Sequence, residues 1–165
     1  MESAVWGLIG TIVGASASTA TTWLSNQASS KRQREQARED RAERSNTFQR
    51  QTLLELQGSI HDALRLVNRA YIEDCNAHRT TKNWTVNMLT DEVNEGIRLA
   101  HRSVAILVER VSEGALRTEV KTLMSSVTSV LLARSEREAK FQIEKTSADA
   151  SLVLERIGTV LRKHY

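Results

Sequence analysis

Apolar residues recur at helical spacing along most of the chain. Leu53, Leu56, Ile60, Leu64, Val67 and Tyr71 step by three and four between Glu, Arg and His, which predicts an amphipathic helix over about residues 47–78. The stripe is lost in RTTKNWTVNMLT, residues 79–90, where Thr and Asn dominate and a loop is predicted. Thr90 then stands as an N-cap. Asp91 and Glu92 follow in the first turn, where carboxylates meet the positive end of the helix dipole.

Val93, Ile97, Ala100, Val104, Leu107 and Val111 share one face of the next helix, about 91–111, and Ser112 with Gly114 marks a tight break. Leu116, Val120, Leu123, Val127, Val130 and Leu131 form a third stripe; Ala150, Val153, Leu154, Ile157, Val160 and Leu161 form the last. Both SERE, residues 135–138, and TSAD, residues 146–149, have the form of a capping box. The second is preferred, so the third helix is expected to run to about residue 143. Four such helices on short loops bury one another most simply as an antiparallel four-helix bundle over residues 47–165.

The amino-terminal part follows another pattern. No ionisable side chain lies between Glu2 and Lys31. Residues 3–24 would span ~33 Å as a helix, close to the ~30 Å hydrocarbon layer of a bilayer. Trp6 and Trp23 fall near its two ends, where such rings favour the headgroup level. A transmembrane helix is therefore expected over residues 1–25. Gly7, Gly10, Gly14, Ala17 and Thr21 line up in one small-residue stripe, the pattern that lets membrane helices approach closely, so self-association is expected there. A cleaved signal peptide fits less well, because the amino terminus carries Glu2 and no basic residue.

Beyond the uncharged stretch the chain becomes densely charged. A juxtamembrane helix is expected over residues 26–46, with Lys31, Arg32, Arg34, Arg38 and Arg41 at its start. Lys31, Arg34, Arg38 and Arg41 step along one helical face, while Glu35, Glu39 and Glu43 step along another. The basic residues follow the apolar stretch and almost nothing precedes it. By the positive-inside rule the carboxy-terminal portion is expected to face the cytoplasm, and the expected location is the inner membrane.

Composition fits an all-α chain. There is no proline to break a helix, and the sequence holds only two Phe, three Trp and two Tyr. The net charge of +3, from 23 basic and 20 acidic residues, gives no concentrated excess of Lys and Arg, so nucleic acid is not an expected partner. Cys75 is the single cysteine; it excludes an internal disulfide and suits a reducing compartment.

The sequence contains no phosphate-cradling P-loop, dinucleotide Gly fingerprint, nucleophile elbow or HExxH, so no enzyme activity and no cofactor is expected. Asp74, Cys75 and His78, with His101, are the only residues of metal-ligating type with suggestive spacing. They lack the paired Cys or His motifs of a metal site, and none is assigned. His61 and Asp62 are sequence neighbours and point in different directions on a helix, so they form no dyad. Trp84 is the aromatic to watch, as a plug over the bundle end or as a membrane or partner contact.

GLIGTIVGASAS, the Arg/Glu block, FQRQTLLELQGSIHDALRLVNRA, AHRTTKNW and ERIGTVLRKHY occur in that order. The whole is similar to a family of small actinobacterial single-pass membrane proteins with a Gly-rich amino-terminal helix and a carboxy-terminal helical bundle. The resemblance implies a membrane role and no particular activity, and no functional residue is carried over from it.

The reading that results is a non-enzymatic, membrane-anchored bundle acting through self-association or a protein partner. The alternative is an oligomeric membrane-perturbing effector, in which several copies line an opening with Ser16, Thr19 and Thr22.

Overall fold

In the computed structural model, the described residues are 2–84 and 89–165; within 2–28, side chains are described only for Trp23, Asn26 and Gln27. Among the described residues there are four helices and no strand. α1 runs from Glu2 to Thr81, α2 from Asp91 to Arg110, α3 from Gly114 to Leu131 and α4 from Glu136 to Arg162. The chain divides into two compact units, Met1–Ser45 and Asn46–Tyr165, and α1 contributes to both.

The first unit is helical, and its described side chains from Ser29 to Ser45 are all exposed. The side chains of the span expected over residues 1–25 lie outside the described residues, apart from Trp23, which is exposed. Among the residues whose side chains are described, which leave out most of 2–28, no helix is long and apolar enough to cross a membrane.

The second unit is a helical bundle. Its main core joins Leu53, Leu56 and Ile60 of α1, Val104 and Leu107 of α2, Leu116, Val120 and Leu123 of α3, and Val153 and Ile157 of α4. Burial of each such Leu or Ile contributes roughly 1.5–3 kcal/mol. A smaller cluster of Val67, Val127, Val130 and Ile143 extends it, with Leu64 and Met124 packed against both. Cross-helix contacts fix the directions. Ser59 meets Ser103 and Arg69 meets Glu92, so α1 and α2 run oppositely; Ser126 meets Asp149 and Glu113 meets Arg156, so α3 and α4 do too.

Helix ends follow local chemistry, with two departures from expectation. Thr90 is the N-cap of α2, but its side chain makes no cap hydrogen bond; only its carbonyl is used, accepting from Asn94 N at 2.9 Å. The larger departure is the α3–α4 junction, which falls at 132–135 rather than near 143. SERE is the cap that operates: Ser135 Oγ accepts from Glu138 N at 3.2 Å, and Glu138 Oε2 reaches one residue beyond the usual box partner to accept from Arg134 N at 2.8 Å. TSAD lies inside α4 with Thr146 fully buried. The core face of α4 explains this, because Ala139, Ile143, Thr146, Ala150, Val153, Ile157 and Val160 form one unbroken buried stripe. A break at 146 would take three of them off the core.

α1 continues past His78 to Thr81. Lys82 then adopts the left-handed region, φ 62°, and its N–H donates to His78 O at 2.8 Å, satisfying a terminal carbonyl of α1.

Candidate functional site

The side chains with candidate chemistry in the bundle are occupied in holding helices together. Gln49 is buried on α1; its Nε2 donates to Arg110 O and its Oε1 accepts from Ser112 N, each at 2.9 Å. One side-chain amide thus closes the α2–α3 turn. Ser59 and Ser103 pair at 2.8 Å between α1 and α2. Glu113, the N-cap of α3, forms an ion pair with Arg156 of α4. Lys121 lies 2.6 Å from Glu109 and holds its carboxyl below the usual carboxylate range. The sequence pattern pointed to none of these four contacts, because a polar residue beside an apolar stripe reads as solvated.

The opposite end of the bundle holds Trp84, His78, Tyr71 and the thiol of Cys75. Trp84 Nε1 donates to Ala133 O at 3.0 Å, in the α3–α4 turn, and its ring meets His78 edge-on at 5.7 Å. It sits as a plug over this end. His78 Nε2 is 3.6 Å from Glu136 Oε2. Tyr71 is half-buried near Cys75, and its phenol is pushed up to about 12, first by burial and then by the neighbouring thiol. Asp74 is half-buried and belongs to the same stretch of helix.

His101, the other residue considered as a ligand, is on α2. It borders a pocket of about 190 Å³ between α2 and α3, with Val104, Val108, Val120 and Met124. Burial holds its imidazole below the ordinary range. Among the described residues no group of three His, Cys, Asp or Glu side chains is placed to hold a metal ion. His61 and Asp62 do not act together: both are exposed, and Asp62 pairs with Arg65 at 3.2 Å. His164 Nδ1 contacts Asn46 Oδ1 at 3.1 Å.

The remaining sequence candidates are in the first unit. Lys31, Arg32, Arg34, Arg38 and Arg41 are all exposed on α1. Gly7, Gly10, Gly14, Ala17 and Thr21, and Ser16, Thr19 and Thr22, fall in the stretch whose burial and side chains lie outside what is described. The ion pairs among the described residues all involve Asp62 or residues beyond it, so the charged strip of 31–44 takes part in none. That strip is exposed throughout and densely charged. Comparison with family models, with curated proteins and with solved structures finds no match for this chain.

Proposed function

We propose that this protein is a non-enzymatic, single-pass inner-membrane protein that acts by self-assembly or by binding another protein, with its helical bundle on the cytoplasmic side. The observation that carries the reading is the continuity of α1. The uncharged residues 3–30 and the charged residues 31–44 belong to one helix, whose described side chains from Ser29 to Phe48 are all exposed. Helices in proteins owe most of their stability to a packed face, and this stretch leaves its faces to a bilayer or a partner. The basic residues just after the uncharged segment support a cytoplasmic bundle.

The test is alkaline extraction of membranes from cells making the full chain. Retention in the membrane pellet supports the anchor; release into the supernatant overturns it. For self-association, Gly10→Leu with Gly14→Leu should lower the cross-linking yield between copies, and an unchanged yield removes close packing of the glycine stripe.

A second reading is favoured by Ser16, Thr19 and Thr22, hydroxyl side chains that an anchor alone does not use. In it several copies form an opening. Dye uptake by cells expressing the full chain, but not residues 26–165 at matched levels, would select it over the first.

A further inference from the structure

We propose that residues 31–44 of α1 are a self-recognition strip, in which the basic face of one copy pairs side by side with the acidic face of the next. The inference rests on the self-assembly reading and names the surface that would carry it. At about 100° per residue, Lys31, Arg34, Arg38 and Arg41 fall within one sector of the helix, and Glu35, Glu39 and Glu43 within another turned from it by roughly 120°. Arg32 falls on the acidic side, three residues from Glu35. All of these side chains are exposed, and no ion pair among the described residues involves them.

A helix meant to stand alone in water is best served by opposite charges four residues apart. Here Lys31 with Glu35 and Asp40 with Arg44 follow that rule, but Arg34 faces Arg38, Glu35 faces Glu39 and Glu39 faces Glu43, so like pairs at that spacing outnumber opposite ones three to two and cost an isolated helix stability. Like charges in rows make sense when each row meets its complement on a neighbour. An anionic membrane surface would satisfy the basic row alone and repel the acidic one. A second copy in the same orientation satisfies both with one contact. Because the two faces differ, the contact is heterologous: each copy offers an acidic face onward after its basic face is filled, so the assembly closes as a ring or continues.

The experiment uses two differently tagged full-length chains, co-expressed and co-purified in detergent at low ionic strength. One variant carries Arg34→Glu, Arg38→Glu and Arg41→Glu; a second carries Glu35→Arg, Glu39→Arg and Glu43→Arg; a third carries all six changes. Each triple variant should co-purify with its own kind at least tenfold less than the original chain does. The two triple variants mixed, and the sixfold variant with itself, should recover the original yield. Triple variants that pair with themselves undiminished, or failure of both recoveries in chains that reach the membrane fraction, would overturn the strip. Absence of co-purification for the unaltered chain would instead overturn self-assembly itself.

Discussion

Ser112 and Gln49, far apart in sequence, are joined by a 2.9 Å hydrogen bond from the Ser112 N–H to the Gln49 side-chain carbonyl. The same amide donates to Arg110 O. Because Gln49 is buried, Gln49→Ala leaves two backbone groups unmet, and the variant should lose about 1–3 kcal/mol of stability. Gln49→Glu keeps the acceptor for Ser112 N–H but buries a carboxylate against the Arg110 carbonyl, so it should lose at least as much at neutral pH. Urea unfolding followed by circular dichroism checks the order.

Thr146 presents the converse case. It is fully buried on α4, and its Oγ1 has no hydrogen-bond partner. Thr146→Val keeps the shape and removes a hydroxyl stranded away from water. The variant should be more stable by about 1 kcal/mol, a rise in melting temperature of roughly 3 °C for a domain of this size. A fall in melting temperature would show that the hydroxyl is bonded in solution.

Trp84 holds the far end of the bundle through one hydrogen bond and one ring contact. Trp84→Phe should cost about 1 kcal/mol, the hydrogen bond alone, whereas Trp84→Ala also loses the packing and should cost about 2 kcal/mol or more. Equal losses would mean the ring does not seal the end.

His101 gives acid sensitivity. Burial lowers its imidazole below the ordinary value, so the folded state favours the neutral form. Its contribution is present above the unfolded-state value of about 6.5 and is lost as pH falls below it. His101→Leu should therefore flatten the decline of the urea midpoint between pH 7 and 5. Parallel declines in both proteins would refute the assignment.

Tyr71 acts at the alkaline end. Its phenol is raised to about 12 in the fold, so ionisation favours the unfolded chain first. Its contribution is intact below about pH 10, the ordinary tyrosine value, and declines as pH rises toward the folded value. Tyr71→Phe should remove the part of the alkaline destabilisation that belongs to this side chain, read as a smaller drop in urea midpoint from pH 9 to 11.

Periodicity alone determined the helical character of the chain and most of the core. Leu53, Leu56, Ile60, Val67, Val93, Val104, Leu116, Val120, Leu123, Val153 and Ile157 stand at three-four spacing and are buried as that spacing requires. Residue order also places Lys31, Arg34, Arg38 and Arg41 on a face apart from Glu35, Glu39 and Glu43, since charge faces follow from helix geometry and need no neighbour.

Only the tertiary structure decided where α3 ends. SERE and TSAD carry equivalent local signals, and a capping hydrogen bond is worth only about 1 kcal/mol. Keeping Ala139, Ile143 and Thr146 in line with Ala150 and Val153 buries a whole further stretch of helix, which stabilises the fold by more than one cap and depends on residues of other helices. The role of Gln49 was settled in the same way. A glutamine beside an apolar stripe has no local reason to be buried; it becomes a clamp when the α2–α3 turn is brought against α1, because the backbone groups of Arg110 and Ser112 must find partners away from water.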